Sequence, residues 1–266
     1  MTDKASTDSS IPQAEAKSSF VEFNLTGFGE FNGVKCNPTE ALMKSLPEYL
    51  RAHPLPDACK VHTCTVLETS GVGSKEQFSG LVHSKECSSS NSRRVWIHFG
   101  VDARSTTFRL ETRAFNEASF RCADQRGWQP NKQCIVEPVV QTAKQSEGGK
   151  QSEANGSQSC DSHKGLHKPF EPLYTSLPIE NLVKELAKKW GSKVGPSDDA
   201  GRFVCNWIYY LSLTRSVMED SQSLFVHVPP HTSISLEHQQ EFTGDLLMVI
   251  GKLVKLPRPD DPTQKS

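Results

Sequence analysis

Large apolar side chains are in short supply. Hydrophobic residues make up 35% of the 266 positions, low for a chain of this length that must bury a core. The deficit is local: residues 1–18, 141–168 and 257–266 hold almost no large apolar side chains. The remaining stretch, about 210 residues, has near-normal composition and suffices for one sizeable core. The expected organisation is a disordered N-terminal tail (1–18), a single domain over 19–256 with a polar insertion loop at 141–168, and a C-terminal tail (257–266).

Excess charge is also missing. Thirty basic residues face 31 acidic ones, a net charge of −1, which removes the electrostatic case for nucleic acid or an anionic membrane as partner. Apolar runs such as Leu246–Ile250 fall far short of bilayer thickness. Behind Met1 there is no apolar segment of secretory type, so the expectation is a soluble, cytoplasmic protein. Eight cysteines, at positions 36, 59, 64, 87, 122, 134, 160 and 205, include no C-x-x-C pair. The usual spacings of structural zinc and of a thioredoxin-type couple are therefore absent, and free thiols are expected in a reducing compartment.

What is present alternates between periods of two and 3.6. Phe20–Thr26 reads as a strand ending in Gly27-Phe28-Gly29, and Val61–Leu67 as a second. Arg94–Phe99 is a near-continuous apolar run, as in a strand covered on both faces. Phe108–Phe115 and Leu224–Val228 complete the strands, the latter stopped by Pro229-Pro230. Helical spacing runs through Thr39–Leu50, where Pro47 predicts a kink or break, weakly through Ser74–His83, and through Ser176–Trp190, with Ser176 as cap and Pro178 in the first turn. It continues in Phe203–Leu213 and Ser235–Leu253. Strands alternating with helices predict an α/β layered domain with a mostly parallel sheet. Ligands then belong beyond the strands' carboxyl ends, at Phe28–Phe31, Thr65–Glu68, Gly100–Asp102 and His227.

Several signals carry little. Gly71-Val72-Gly73-Ser74-Lys75 lacks the order of a phosphate loop and reads as a surface turn. The sequons at Asn24 and Asn155 mean little without a secretory segment. His163 and His167 sit in the polar insertion, and Lys184, Lys188 and Lys189 read as a solvated helix face. Three residues stand out together. Cys205 falls at the start of an apolar helix, where the helix dipole and free N–H groups favour a thiolate and a developing oxyanion. His227 lies at a buried strand end and Glu111 on a half-apolar strand. Each alone has an ordinary structural reading; together they have the composition of a nucleophilic triad.

In this combination the chain resembles the pyroglutamyl peptidase type I (pyrrolidone-carboxylate peptidase) family, most of all its longer plant-type members. The resemblance rests on Gly27-Phe28-Gly29-Glu30-Phe31 followed by Asn37-Pro38-Thr39, on Leu110-Glu111-Thr112-Arg113-Ala114-Phe115-Asn116, on Asp199-Ala200-Gly201-Arg202-Phe203-Val204-Cys205-Asn206, and on Phe225-Val226-His227-Val228-Pro229, in that order. It implies a three-layer α/β/α sandwich of phosphorylase/hydrolase-like type and a cysteine exopeptidase that removes N-terminal pyroglutamate from peptides without metal or organic cofactor. Cys205 would be nucleophile, His227 general base and then acid, and Glu111 the group orienting the imidazole. Phe28, Phe31 and Phe203 would enclose the lactam ring, Thr65 and Val101 would stand at its polar edge, and Arg121 near the oxyanion. The chain departs from the family at Glu30, at Thr112-Arg113, at Val101 in place of a glutamine, and in the 141–168 insertion. The alternatives are a cysteine amidohydrolase acting on another small acyl or cyclic substrate, or a binding homologue with little turnover. Oligomeric state, from monomer to homotetramer, stays open.

Overall fold

The computed structural model describes residues 20–31, 37–84, 92–137 and 169–254. The expected insertion at 141–168 and both tails lie outside these residues, as do His163, His167 and Asn155. Six strands form the main sheet: β1 (Phe20–Phe28), β2 (Cys59–Leu67), β3 (Ser92–Val101), β4 (Phe108–Glu111), β7 (Val194–Ser197) and β8 (Gln222–Val228). Their order is β2-β1-β3-β8-β4-β7. All neighbours pair in parallel except β4 and β8, which run antiparallel. A separate two-stranded antiparallel ribbon joins β5 (Arg113–Phe115) to β6 (Pro172–Tyr174).

Period-two alternation divides the sheet into two unlike faces. One face carries Val21, Phe23 and Leu25 from β1, Ile97 and Phe99 from β3, Phe108 and Leu110 from β4, and Val226 and Val228 from β8. All belong to one apolar core with helices α1 (Pro38–Ala52), α3 (Ile179–Trp190) and α5 (Leu236–Leu253). In that core the Phe108 and Phe242 rings stack at 3.6 Å and Trp190 meets both edge-on. The opposite face packs on α2 (Gly71–His83) and α4 (Val204–Met218) through Trp96, Phe225, Phe78, Val204 and Ile208. It also buries Asn24, Thr26, His98, Glu111 and His227. The result is a three-layer α/β/α arrangement whose two cores differ in polarity.

Several expectations need correction. The helix over Thr39–Leu50 is unbroken: Pro47 is exposed, on the side away from the buried stripe of Leu42, Met43 and Leu46, so its missing N–H does not disturb the packed face. Gly71–Lys75 is no surface turn but the first turn of α2, capped by Ser70, whose Oγ accepts from the Gly73 N–H at 2.9 Å. At Gly71 a Cβ would run into the Trp128 ring, and one on Gly73 would push the Glu68 carboxyl aside. Phe108–Phe115 is two strands in two sheets, divided at Thr112. Ser176 does not cap α3, which starts at Ile179 behind Pro178 with no side-chain cap; the Ser176 hydroxyl accepts from Gln222 instead. Asn24 is fully buried, which removes its sequon. The lysine face of α3 is partly tied down, with Lys189 bridging to Glu241 and Asp245 of α5 at 2.8 Å each.

Candidate active site

His227 is the penultimate residue of β8, on the face toward α4. Antiparallel register sets Glu111 of β4 opposite Phe225, two residues away on that same face. The longer reach of a glutamate closes the gap, and its Oε1 lies 2.7 Å from His227 Nδ1. Glu111 is fully buried and His227 is 9% exposed, so this contact is screened little by solvent. Cys205, second residue of α4, interacts with the same imidazole. Burial alone would depress the His227 pKa; hydrogen bonds to Cys205 and Glu111, with their charges, outweigh it and raise the pKa to about 10. The imidazole is thus held between the Glu111 carboxylate and the Cys205 sulfur.

Space for the thiol depends on Gly100, which pairs in register with His227 across β3 and β8. A Cβ at Gly100 would lie 3.0 Å from Cys205 Sγ and 2.7 Å from the Phe225 ring. The sulfur therefore sits over bare backbone. No side chain caps α4, whose N-cap is Phe203, and no acidic residue occupies its first turn. Its first-turn N–H groups are left for a ligand, with the positive end of the helix dipole behind them.

These groups open into a cavity of about 580 Å³. Phe28, Phe31, Val101, Arg121 and Phe203 line it with Glu111, Cys205 and His227; Thr65 does not, and Thr69 does. Thr65 lies inside edge strand β2, paired with Thr26, two residues short of the strand end. The aromatic wall is continuous: Phe203 packs on Phe31 at 5.1 Å and on Phe120 at 4.7 Å between ring centroids, and the Arg121 guanidinium stands 5.6 Å from the Phe203 ring. The turn carrying Phe28 is fixed through its backbone. Thr39 Oγ1 accepts from the Phe28 N–H at 2.9 Å, and Asn37 Nδ2 and Thr69 Oγ1 both donate to the Gly29 carbonyl. A Cβ on Gly27 would strike the Thr39 carbonyl oxygen at 2.6 Å, so the strand meets the start of α1 only because that position is bare.

The connection from Phe115 to Glu137 has little regular structure and gave no signal in the sequence beyond Asn116 and Arg121. Three buried polar side chains order it. Asn206, next to Cys205, accepts from the Phe115 N–H and donates to the Phe115 and Glu117 carbonyls. Asn116 accepts from the N–H groups of Ile135 and Val136. Asp124 accepts from the N–H groups of Gly71, Arg126 and Trp128, placing a carboxylate at the start of α2, where the dipole favours it. This connection carries Ser119 and Arg121 to the cavity. Among the described residues no three His, Cys, Asp or Glu side chains converge to hold a metal ion.

A thiol, an imidazole and a carboxylate in series, beside free helix N–H groups and an aromatic-walled cavity, can carry out nucleophilic acyl transfer. Comparison with known proteins points the same way. The sequence profile of the family described as pyroglutamyl peptidase matches residues 136–247. A pyrrolidone-carboxylate peptidase of Pyrococcus furiosus is 25% identical over 211 residues, covering 77% of this chain and 79% of its own length. Human pyroglutamyl-peptidase 1 is 29% identical over 140 residues, 53% of this chain and about half (51%) of the human protein. Among solved structures, the pyrrolidone carboxyl peptidase of Fervidobacterium islandicum AW-1 shares the fold with a TM-score of 0.66 at 23% identity, covering 88% of this chain and 100% of that one.

Proposed function

We propose, from its similarity to the pyroglutamyl peptidase family, that the chain is a member of that family and a cysteine exopeptidase releasing N-terminal pyroglutamate from peptides, with Cys205, His227 and Glu111 as its catalytic residues. The described residues are read as one peptidase domain. Its working compartment is the cytoplasm, where a reducing environment keeps a nucleophilic thiol free.

In this reading the flat, neutral lactam lies between Phe28, Phe31 and Phe203, and Val101 adds an apolar contact. The substrate has no free α-amine, so the pocket needs no anionic anchor. The Cys205 thiolate attacks the pyroglutamyl carbonyl carbon, and the oxyanion forms beside the first-turn N–H groups of α4 and Arg121. His227, protonated because Glu111 and the thiolate hold its pKa high, gives its proton to the departing amine as the C–N bond breaks. Neutral His227 then takes a proton from water, which attacks the thioester and releases pyroglutamate, restoring the thiol–imidazole pair. Glu111 holds Nδ1 throughout, fixing the ring with Nε2 toward the sulfur.

The observation that carries this reading is the buried 2.7 Å contact between Glu111 and the imidazole of His227, beside Cys205 at an uncapped helix start. Hydrolysis of a pyroglutamyl aminocoumarin amide by the reduced protein tests it. Wild type is expected to turn over and Cys205→Ala to fall at least about a thousandfold with an unchanged circular dichroism spectrum. A folded, reduced wild type without turnover on any pyroglutamyl substrate would remove the assignment.

A further inference from the structure

The cavity has a buried half and an exposed half, and they differ in charge. Phe28, Glu111 and His227 lie at the buried end, while Arg104, Arg109 and Arg121 are exposed where it opens. The lining charges partly cancel. Arg202 pairs with Asp199 at 2.6 Å and Glu111 is engaged by His227. Among the described residues Arg104, Arg109 and Arg121 have no ion-pair partner, and only the carboxylate of Asp102 lines the cavity against them. The mouth is therefore net positive in a protein whose overall charge is −1.

Arg109 has the most defined place. Strand β4 runs antiparallel to β8, so Arg109 stands directly opposite His227, with both side chains on the same face. Cβ atoms of such pairs are about 5 Å apart. Glu111, two residues on, goes inward to Nδ1, whereas Arg109 stays at the open end. A peptide whose lactam lay between the phenylalanines would leave the cavity through its open end, where Arg109 and Arg104 are exposed. An arginine fork suits a carboxylate better than any neutral group.

We propose that Arg109, with Arg104, makes this enzyme selective for pyroglutamyl peptides that carry an acidic residue directly after the pyroglutamate. The inference rests on the pyroglutamyl peptidase reading above. It assigns Arg109 a specificity role, separate from the chemistry of the triad.

Three peptides differing only in the residue after pyroglutamate (Glu, Gln or Lys) test it through kcat/KM. Wild type is expected to prefer Glu over Gln by about fivefold or more and Gln over Lys, as for a partly screened charge pair. The preference shrinks as salt rises from about 0.01 M to 1 M. In the double variant Arg104→Gln/Arg109→Gln the Glu:Gln ratio falls to within about twofold, and Arg109→Lys alone keeps most of it. The ratio is the deciding quantity, because a structural or catalytic defect lowers all three substrates together. Equal rates on the three peptides by wild type overturn the selectivity and leave the peptidase reading standing. A preference that survives in the double variant overturns the assignment to these arginines. Hydrolysis of none of them overturns the peptidase reading and this inference with it.

Discussion

At His227 two opposed effects meet within one ring. Burial disfavours the imidazolium, while hydrogen bonds to Cys205 and Glu111, with their negative charges, favour it more. Removing the carboxylate charge must then lower its pKa. Glu111→Gln keeps the shape of the contact; it is expected to cut kcat about a hundredfold with little change in KM, and to move the alkaline limb of the pH–rate profile to lower pH. An unshifted alkaline limb would mean that the limb does not report His227. Gly100 makes the complementary case, a residue that acts by having no side chain. Its replacement by alanine pushes on Cys205 Sγ and on Phe225. The expected result is a kcat loss of about tenfold or more in a protein destabilised by about 1–3 kcal/mol, read by steady-state kinetics and urea unfolding. The sequence marks Gly100 as part of a strand end but not as a position that must be glycine, because that constraint comes from Cys205 and Phe225, more than a hundred residues downstream.

The elements tell where sequence reasoning holds. Long periodic helices were legible almost to their ends: Ser235–Leu253 matches α5 with Ser235 as its cap. Two long apolar strands were equally plain. Short elements were not. β6 has three residues, and β7 four with Pro196 among them; neither is long enough to show a period, and pairing rather than propensity makes them strands. Phe108–Phe115 misled because both of its halves alternate, although the chain leaves one sheet and joins another at Thr112. The rule of looking beyond carboxyl ends finds His227. It does not explain Glu111, whose strand runs the other way. The irregular connection after Phe115 was legible only at the residues that the family resemblance marked, since its order comes from buried polar caps. Asp124→Ala deletes one acceptor that serves three N–H groups and is expected to cost about 2–3 kcal/mol, measured by thermal or urea unfolding. Because the loss is confined to α2 and the connection, hydrogen exchange should rise first at Gly71, Arg126 and Trp128. An equal rise in α5 would mean that the anchor is not local.

Across the whole molecule, the sheet separates an oily side from a polar one. His98 belongs to the polar side: it is fully buried, 2.7 Å from Thr26 Oγ1 through Nδ1, and burial lowers its pKa to about 3. Between its ordinary value near 6.5 and about 3, the unfolded chain binds a proton that the folded one refuses. Stability therefore falls as pH falls through this window, by up to about 1.4 kcal/mol per pH unit from this group. His98→Gln is expected to flatten the plot of unfolding free energy against pH between about 6 and 4, whatever it does to absolute stability. An unchanged slope would show that His98 accepts its proton within the fold. The same division extends beyond pH. The layer of α1, α3 and α5 works as a keel: it touches no reacting group, and its aliphatic and aromatic side chains could be exchanged for others of equal volume with the effect felt in melting temperature alone. The other layer is the working deck, where each substitution is felt twice, in how long the molecule survives and in how fast it turns over.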